Sequence, residues 1–331
     1  MSPHVLGQGH VLGRVVVTGK IPQPGLDLLV GADHTVVSWD DETAIARDEL
    51  LRRVAGADVI VSLLTEKIDA ELLDAAGPQL RAVCNVAVGY NNIDVPACRE
   101  RGVIATNTPG VLTDATADIA MALILMTTRR LAEGERLIRS REPWQWGMFM
   151  MLGTGLQGAR LGLVGMGQIG TALARRARSF GMTIGYSNRR PVDATVADEL
   201  DAEHLSMDEL LATSDVVSLH CPYSPETHHL IGQRQLTSMR NTAFLINTAR
   251  GPVVDEAALV AALERGELAG AGLDVFENEP EVHPGLLGRD DVVLIPHLGS
   301  ATVETRTAMA TLAARNALAI LAGQEPVTPI G

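Results

Sequence analysis

At 331 residues the chain is long for one hydrophobic core, so two domains are expected. Apolar residues make up 46% of it and charged residues 20%, the mixture of a folded chain and not of a disordered one. Its 40 Asp+Glu against 27 Lys+Arg give a formal net charge of -13, which argues against nucleic acid or an acidic membrane surface as a general partner.

The first residues, MSPHVLGQGHVLGRVVV, have neither the basic start nor the continuous apolar core of a signal peptide, and charges interrupt the later apolar runs. A cytoplasmic protein is expected, with residues 1 to about 12 a loose tail or an overlong start. Residues 15–18 (VVVT), 57–64 (ADVIVSLL) and 80–84 (LRAVC) read as short strands, separated by helix-like segments such as 48–55. Residues 113–138, TDATADIAMALILMTTRRLAEGERLI, read as one helix long enough to bridge two domains. Strands resume at 160–164 and continue at 183–186, 215–220, 243–247, 270–275 and 292–295, and residues 302–322 form a closing helix. Such alternation gives an α/β fold with two parallel sheets. Cys84, Cys98 and Cys221 are too dispersed for a disulfide framework and lack metal-ligand spacing, so a reducing compartment and no metal are expected.

Gly165-Met-Gly167-Gln168-Ile169-Gly170 follows the strand LGLV and opens the helix TALARRARSFG. Glycines there let the backbone turn tightly and approach a pyrophosphate, whose charge the helix N-terminus stabilises. Roughly 20 residues later an NAD site carries an acid for the ribose 2′-hydroxyl. This chain instead has Ser187, Asn188, Arg189 and Arg190. A guanidinium grips a 2′-phosphate that an acid would repel, so NADP (NADPH) is the expected cofactor, with NAD as the alternative; the other reading of the pair is a solvated loop charge.

Three polar residues fall at or just after predicted strand ends, where open parallel sheets place ligands: Arg250 in NTARGPVVDE, Glu279 in LDVFENEP and His297 in VVLIPHLGS. Singly, each has a packing or solvation reading. Together they suit hydride transfer to a carbonyl beside a carboxylate. Arg250 would pair with the carboxylate and polarise the oxo group, His297 would donate a proton, and Glu279 would orient the imidazole and favour its charged form.

The stretches VAVGYNNIDVPACRERGVIATNTPGVLTDATADIAMALIL, GLVGMGQIG, LHCPYSPETHHLI, INTARGPVVDEAALVAALERGELAGAGLDVFENEP and PHLGSAT together resemble the D-2-hydroxyacid dehydrogenase family, close to its glyoxylate/hydroxypyruvate reductase members. The resemblance implies two Rossmann-like doubly wound domains, the nucleotide domain inserted in the substrate domain. It places the substrate domain at 13–107 and 297–331 and the NADP-binding domain at 108–296. It implies Arg250, Glu279 and His297 as the catalytic set, with Val88 and Gly89 amides holding the substrate carboxylate. Thr113 would reach the cofactor phosphate, Pro222 would wall the adenine, and Asp274 would meet the nicotinamide carboxamide. Thr248 and Gly299 fall on the cofactor side as well. The small residues at 87–89 suit an anion loop, although an ordinary strand-to-helix turn reads the same way.

Relatives more often have GYDNID where this chain has Gly-Tyr-Asn91-Asn92-Ile-Asp94, which weakens any role for that first amide. The chain stops soon after the last helix, so the regulatory domain appended to many phosphoglycerate dehydrogenases is not expected. The segment 142–152, EPWQWGMFMML, carries two of the three tryptophans and suits a sticky arm. In the family that region takes part in dimerisation, so a homodimer is expected, with Trp144 or Trp146 near the substrate and a small 2-oxo/2-hydroxy acid favoured by Trp146, Met148 and Met151. The other readings are a local hydrophobic cluster for the arm, an NAD-linked D-lactate or broad 2-oxoacid or phosphite dehydrogenase for the activity, and a dinucleotide-sensing co-repressor as a different class.

Overall fold

The computed structural model describes residues 12–331; apart from Leu12, the expected N-terminal tail lies outside the described residues. They fall into two compact units, 12–112 with 302–331, and Thr113–Ala301. The first unit starts with β1 (Arg14–Val17), α1 (Gln23–Val30), β2 (Thr35–Ser38), α2 (Arg47–Val54) and β3 (Val59–Ser62). It continues with α3 (Ala70–Ala76), β4 (Ala82–Asn85), α4 (Val95–Glu100) and β5 (Ile104–Thr106). The second opens with α5 (Thr113–Thr128), α6 (Leu131–Ser140), β6 (Arg160–Val164), α7 (Gln168–Ser179), β7 (Thr183–Ser187), α8 (Ala194–Leu200) and β8 (Ala202–His204). There follow α9 (Met207–Thr213), β9 (Val216–Leu219), α10 (Gln233–Ser238), β10 (Phe244–Asn247), α11 (Glu256–Glu264), β11 (Gly270–Leu273) and β12 (Val292–Leu294), and α12 (Val303–Leu321) returns to the first unit.

Both sheets are parallel throughout, in the orders β2-β1-β3-β4-β5 and β12-β11-β10-β9-β6-β7-β8. Strands covered on both faces need apolar runs, and VIVS, AVCN and FLIN supply three apolar residues each before a polar last one, with every residue buried. In the second sheet the order reverses between β6 and β9, so their carboxyl ends flank the switch point at which such sheets bind ligands.

Three strands escape the sequence reading: β2, β5 and β8. All three are edge strands. Half-exposed edges need no apolar run, and Thr35–Ser38 and Ala202–His204 are correspondingly little buried. The single helix expected at 113–138 is instead two, α5 and α6, both inside the second unit. At the break Arg130 adopts φ 54, and its guanidinium grips Glu133 at 2.7 and 2.6 Å. The Thr128 carbonyl accepts the Thr154 N–H at 2.7 Å, so the returning chain takes the acceptor that helix continuation would have used. The unit boundaries fall at 112/113 and 301/302, not at the expected 107/108 and 296/297. His297 consequently goes with the second unit, where its N–H donates to the Asp274 carbonyl at 2.8 Å. The closing helix matches closely, with the Thr302 hydroxyl accepting the Thr305 N–H at 3.0 Å as its cap.

Candidate active site

The glycine turn after β6 gives each glycine a separate task. Gly165 has φ 94, and a Cβ there would lie 2.7 Å from the Cys221 nitrogen, so only glycine permits the tight turn against the end of β9. A Cβ on Gly170 would stand 2.5 Å from the Gly165 carbonyl oxygen, so its absence lets α7 close onto the turn. Gly167 opens α7 with nothing within 4 Å of a built Cβ, which leaves room for an anion at the helix N-terminus. Beside it, the Thr113 hydroxyl donates to Gln168 Oε1 at 3.5 Å, which brings the start of α5 to the same turn.

Asn188 lies at the end of β7 but is turned inward. Its Oδ1 accepts the Met166 N–H at 2.7 Å, and its carbonyl meets His204 Nε2 at 3.1 Å, while His204 stacks on Tyr186 at 5.0 Å. The side chain therefore braces the glycine turn. Arg189 and Arg190 next to it are exposed.

His220, which the sequence reading passed over, follows β9 beneath this turn. Ser218 Oγ lies 2.9 Å from its Nε2, while its Nδ1 is buried with no partner. Burial lowers its pKa to about 4, so the ring is neutral near pH 7. Thr248, after β10, likewise buries a hydroxyl that has no partner. Two orphaned polar atoms at adjacent strand ends, together with the open cradle at Gly167, fit a dinucleotide.

The three residues expected to do chemistry lie in the second unit. Asn247 shapes the first of their turns: its Nδ2 donates to the Arg250 carbonyl at 3.0 Å and its Oδ1 accepts the Ala249 N–H at 3.0 Å. Arg250 is largely withdrawn from water, and burial lowers its pKa while the nearby Glu279 charge opposes the shift. Glu279 uses both oxygens. Oε1 accepts the Phe276 N–H at 3.0 Å, and Oε2 lies 2.8 Å from His297 Nδ1. Burial alone would raise the Glu279 pKa, but the hydrogen bond and charge of His297, the Phe276 N–H and the Arg250 charge outweigh it and lower it. With Nδ1 committed to Glu279, His297 has Nε2 left for a substrate.

His297 holds φ 51, a left-handed conformation uncommon in residues other than glycine. Asp274 braces this backbone. Its carboxylate accepts the N–H groups of Leu298 and Gly299, the latter at 2.8 Å, and its carbonyl accepts the His297 N–H at 2.8 Å. Burial raises the pKa of Asp274 against those hydrogen bonds. Thr116 of α5, another residue the sequence reading missed, donates to the Gly299 carbonyl at 3.1 Å. Pro222 lies exposed after β9, its carbonyl accepting from the Thr227 hydroxyl at 2.9 Å.

Val88 and Gly89 lie in the first unit, on the loop after β4. Asn107 Nδ2 donates to the Val88 carbonyl at 2.7 Å, and Asn85 Nδ2 to the Gly89 carbonyl at 3.1 Å. The N–H groups of both residues find no acceptor among the described residues, as an anion loop requires. Asn92 braces it from within, lying 3.1 Å from Asn85. In the second unit, Trp146 is 72% exposed, Met148 73% and Phe149 89%, so the tryptophan is not packed over the trio by its own chain. Among the described residues no group of His, Cys, Asp and Glu could hold a metal, and no helix is long and apolar enough to cross a membrane.

The family model described as D-isomer specific 2-hydroxyacid dehydrogenase, NAD binding domain, matches residues 121–299. A glyoxylate reductase of Thermococcus onnurineus is 49% identical over 321 residues, 95% of each chain. A crystal structure of a glyoxylate reductase from Paecilomyes thermophila superposes with a TM-score of 0.88 at 35% identity, covering 96% of this chain and 98% of that one. An NADPH-dependent glyoxylate/hydroxypyruvate reductase from Sinorhizobium meliloti, solved with NADP and malonate, gives a TM-score of 0.85 at 35% identity over 97% of each chain.

Proposed function

The chain belongs to the D-isomer specific 2-hydroxyacid dehydrogenase family, and from that premise we propose that it reduces a small 2-oxo acid, glyoxylate or hydroxypyruvate, to the D-2-hydroxy acid, with NADPH favoured. The observation that carries the reading is the Glu279–His297 pair at 2.8 Å on the same unit as a withdrawn Arg250 and the glycine turn. Arg250 binds the carboxylate of the acid and draws electron density from the oxo group. His297 donates the proton from Nε2 to the developing alkoxide, and Glu279 stabilises the imidazolium beforehand and fixes the ring plane. A reduced nicotinamide bound at the second unit supplies the hydride. Chiral analysis of the product from hydroxypyruvate is expected to give D-glycerate; L-glycerate or a racemate would overturn the assignment.

Gly165, Gly167, Gln168, Ile169 and Gly170 with Thr113 would hold the pyrophosphate, Pro222 the adenine, and Thr248, Asp274 and Gly299 the nicotinamide end. The second unit is thus the nucleotide domain, and the first, with its anion loop at Val88 and Gly89, the substrate domain. Of the residues assigned to the 2′-phosphate, Arg189 and Arg190 carry the charge, and Asn188 contributes by shaping the turn. Arg189→Ala is expected to cost NADPH about 10- to 100-fold in kcat/KM with NADH spared, the loss of one charge-assisted contact of about 1.5–3 kcal/mol. An unchanged NADPH/NADH ratio in the Arg189→Ala/Arg190→Ala double variant would remove both from the phosphate site.

The exposed aromatic arm at 142–152 supports a homodimer, with Trp146 reaching the substrate of the neighbouring copy. Light scattering at micromolar protein is expected to give twice the chain mass, and a monomer would contradict it.

A further inference from the structure

We propose that Glu277 is a positioning residue for the reduction, held by His229 and Glu256 so that the loop it sits on fixes Glu279 against His297; this rests on the catalytic roles proposed above. Glu277 and Glu279 share one short loop, yet their side chains serve different partners. Glu277 Oε1 lies 2.6 Å from His229 Nε2, and its Oε2 accepts the Glu256 N–H at 3.3 Å. In return the Glu277 N–H donates to Glu256 Oε1 at 2.8 Å. The start of α11 and the catalytic loop are therefore clamped to each other through two side-chain to backbone hydrogen bonds.

Each strap of this clamp leads back to the site. Gly251, beside Arg250, packs so tightly on the loop that a built Cβ would fall 1.8 Å from the Phe276 carbonyl oxygen. Phe276 in turn gives its N–H to Glu279 Oε1 at 3.0 Å, so a shift of Phe276 moves the carboxylate that meets His297. His229 reaches Glu277 from a φ of 49, stacks on His228 at 4.0 Å, and donates its own N–H to the Pro252 carbonyl at 2.8 Å. Two further backbone bonds, Ile231 N–H to Val253 at 3.0 Å and Asp255 N–H to Ile231 at 3.0 Å, zip this segment onto the chain that follows Arg250. Glu256 is itself buried, where an unpaired carboxylate is costly, and its raised pKa has that burial as its main cause. A buried acid spent on a backbone N–H of the catalytic loop marks a device for holding that loop still. The substrate must meet Arg250 and His297 at once, so the spacing between the turn at 250–251 and the loop at 276–279 has to be fixed.

The test is a double-mutant cycle on the full-length enzyme, read as steady-state reduction of glyoxylate with NADPH binding followed by fluorescence. Glu277→Ala is expected to lower kcat by about 10- to 100-fold, the cost of misplacing a catalytic group by roughly 1 Å, with NADPH affinity and glyoxylate KM within about threefold of wild type. In a Glu279→Gln background the same substitution is expected to change kcat by less than about threefold, because the two act through one another. Glu277→Gln keeps the acceptor for His229 and is expected to recover kcat to within about threefold of wild type. Should Glu277→Ala not fold, His229→Asn takes its place in the cycle, since it cuts the clamp without touching the loop. A Glu279→Gln enzyme as fast as wild type would refute the catalytic assignment itself. A slow Glu279→Gln enzyme combined with a silent Glu277→Ala, or with fully multiplicative losses, would overturn the positioning role alone.

Discussion

His297→Ala is expected to lower kcat for glyoxylate reduction by about 10²–10⁴-fold, the range spanned by a positioned general acid, while NADPH still binds. The expectation follows from where the ring is held and by what. Its backbone sits at φ 51 under the grip of Asp274, and its Nδ1 is taken by Glu279, so Nε2 points its proton away from both. Alanine keeps the Cβ and therefore the same backbone strain, so the substitution removes the acid without rebuilding the loop. The pH dependence carries a sign as well. Glu279 has a lowered pKa, so its support of the imidazolium is present above the ordinary carboxylate range and is lost only as pH falls through that lowered value. A variant with near-wild-type turnover would assign the proton to another group.

Arg250→Ala is the second large effect, and its signature differs. An arginine that binds the carboxylate in the ground state and polarises the oxo group in the transition state contributes to both, so glyoxylate KM rises and kcat falls together. Truncating one side of a desolvated charge pair costs about 2–5 kcal/mol, which is roughly 30- to 5000-fold in kcat/KM. Arg250→Lys is expected to recover little of it. An ammonium offers a point charge, whereas the planar guanidinium presents paired donors to a carboxylate. The loss also reaches Glu279, because Arg250 is among the charges that lower its pKa. A change confined to KM would reduce Arg250 to a binding residue.

The parallel sheets were legible because strands buried on both faces are written mostly in apolar residues, as the VIV of β3 and the FLI of β10 are. The edge strands β2, β5 and β8 were not, since half-exposed strands carry no such signal. The break between α5 and α6 was hidden for another reason: the Thr154 N–H that caps Thr128 arrives from a distant part of the chain. Arg250, Glu279 and His297 stood out as polar residues at the ends of apolar strands. His220, Thr116, Glu256 and His229 did not, because each acts on another residue's backbone or side chain and only the folded chain reveals the partner. Asn188 read as a phosphate ligand from its place after β7; that its oxygen also holds the Met166 N–H is visible only in the folded chain.

The protein is expected to reduce a small 2-oxo acid with a reduced nicotinamide, the 2′-phosphate form preferred. Steady-state rates of the purified protein with NADPH and with NADH, each against glyoxylate, hydroxypyruvate and pyruvate, test it most directly. The highest kcat/KM is expected for NADPH with glyoxylate or hydroxypyruvate, and a lower value for pyruvate. Turnover that favours NADH with pyruvate, or no turnover on any of the three acids with either cofactor, would contradict it.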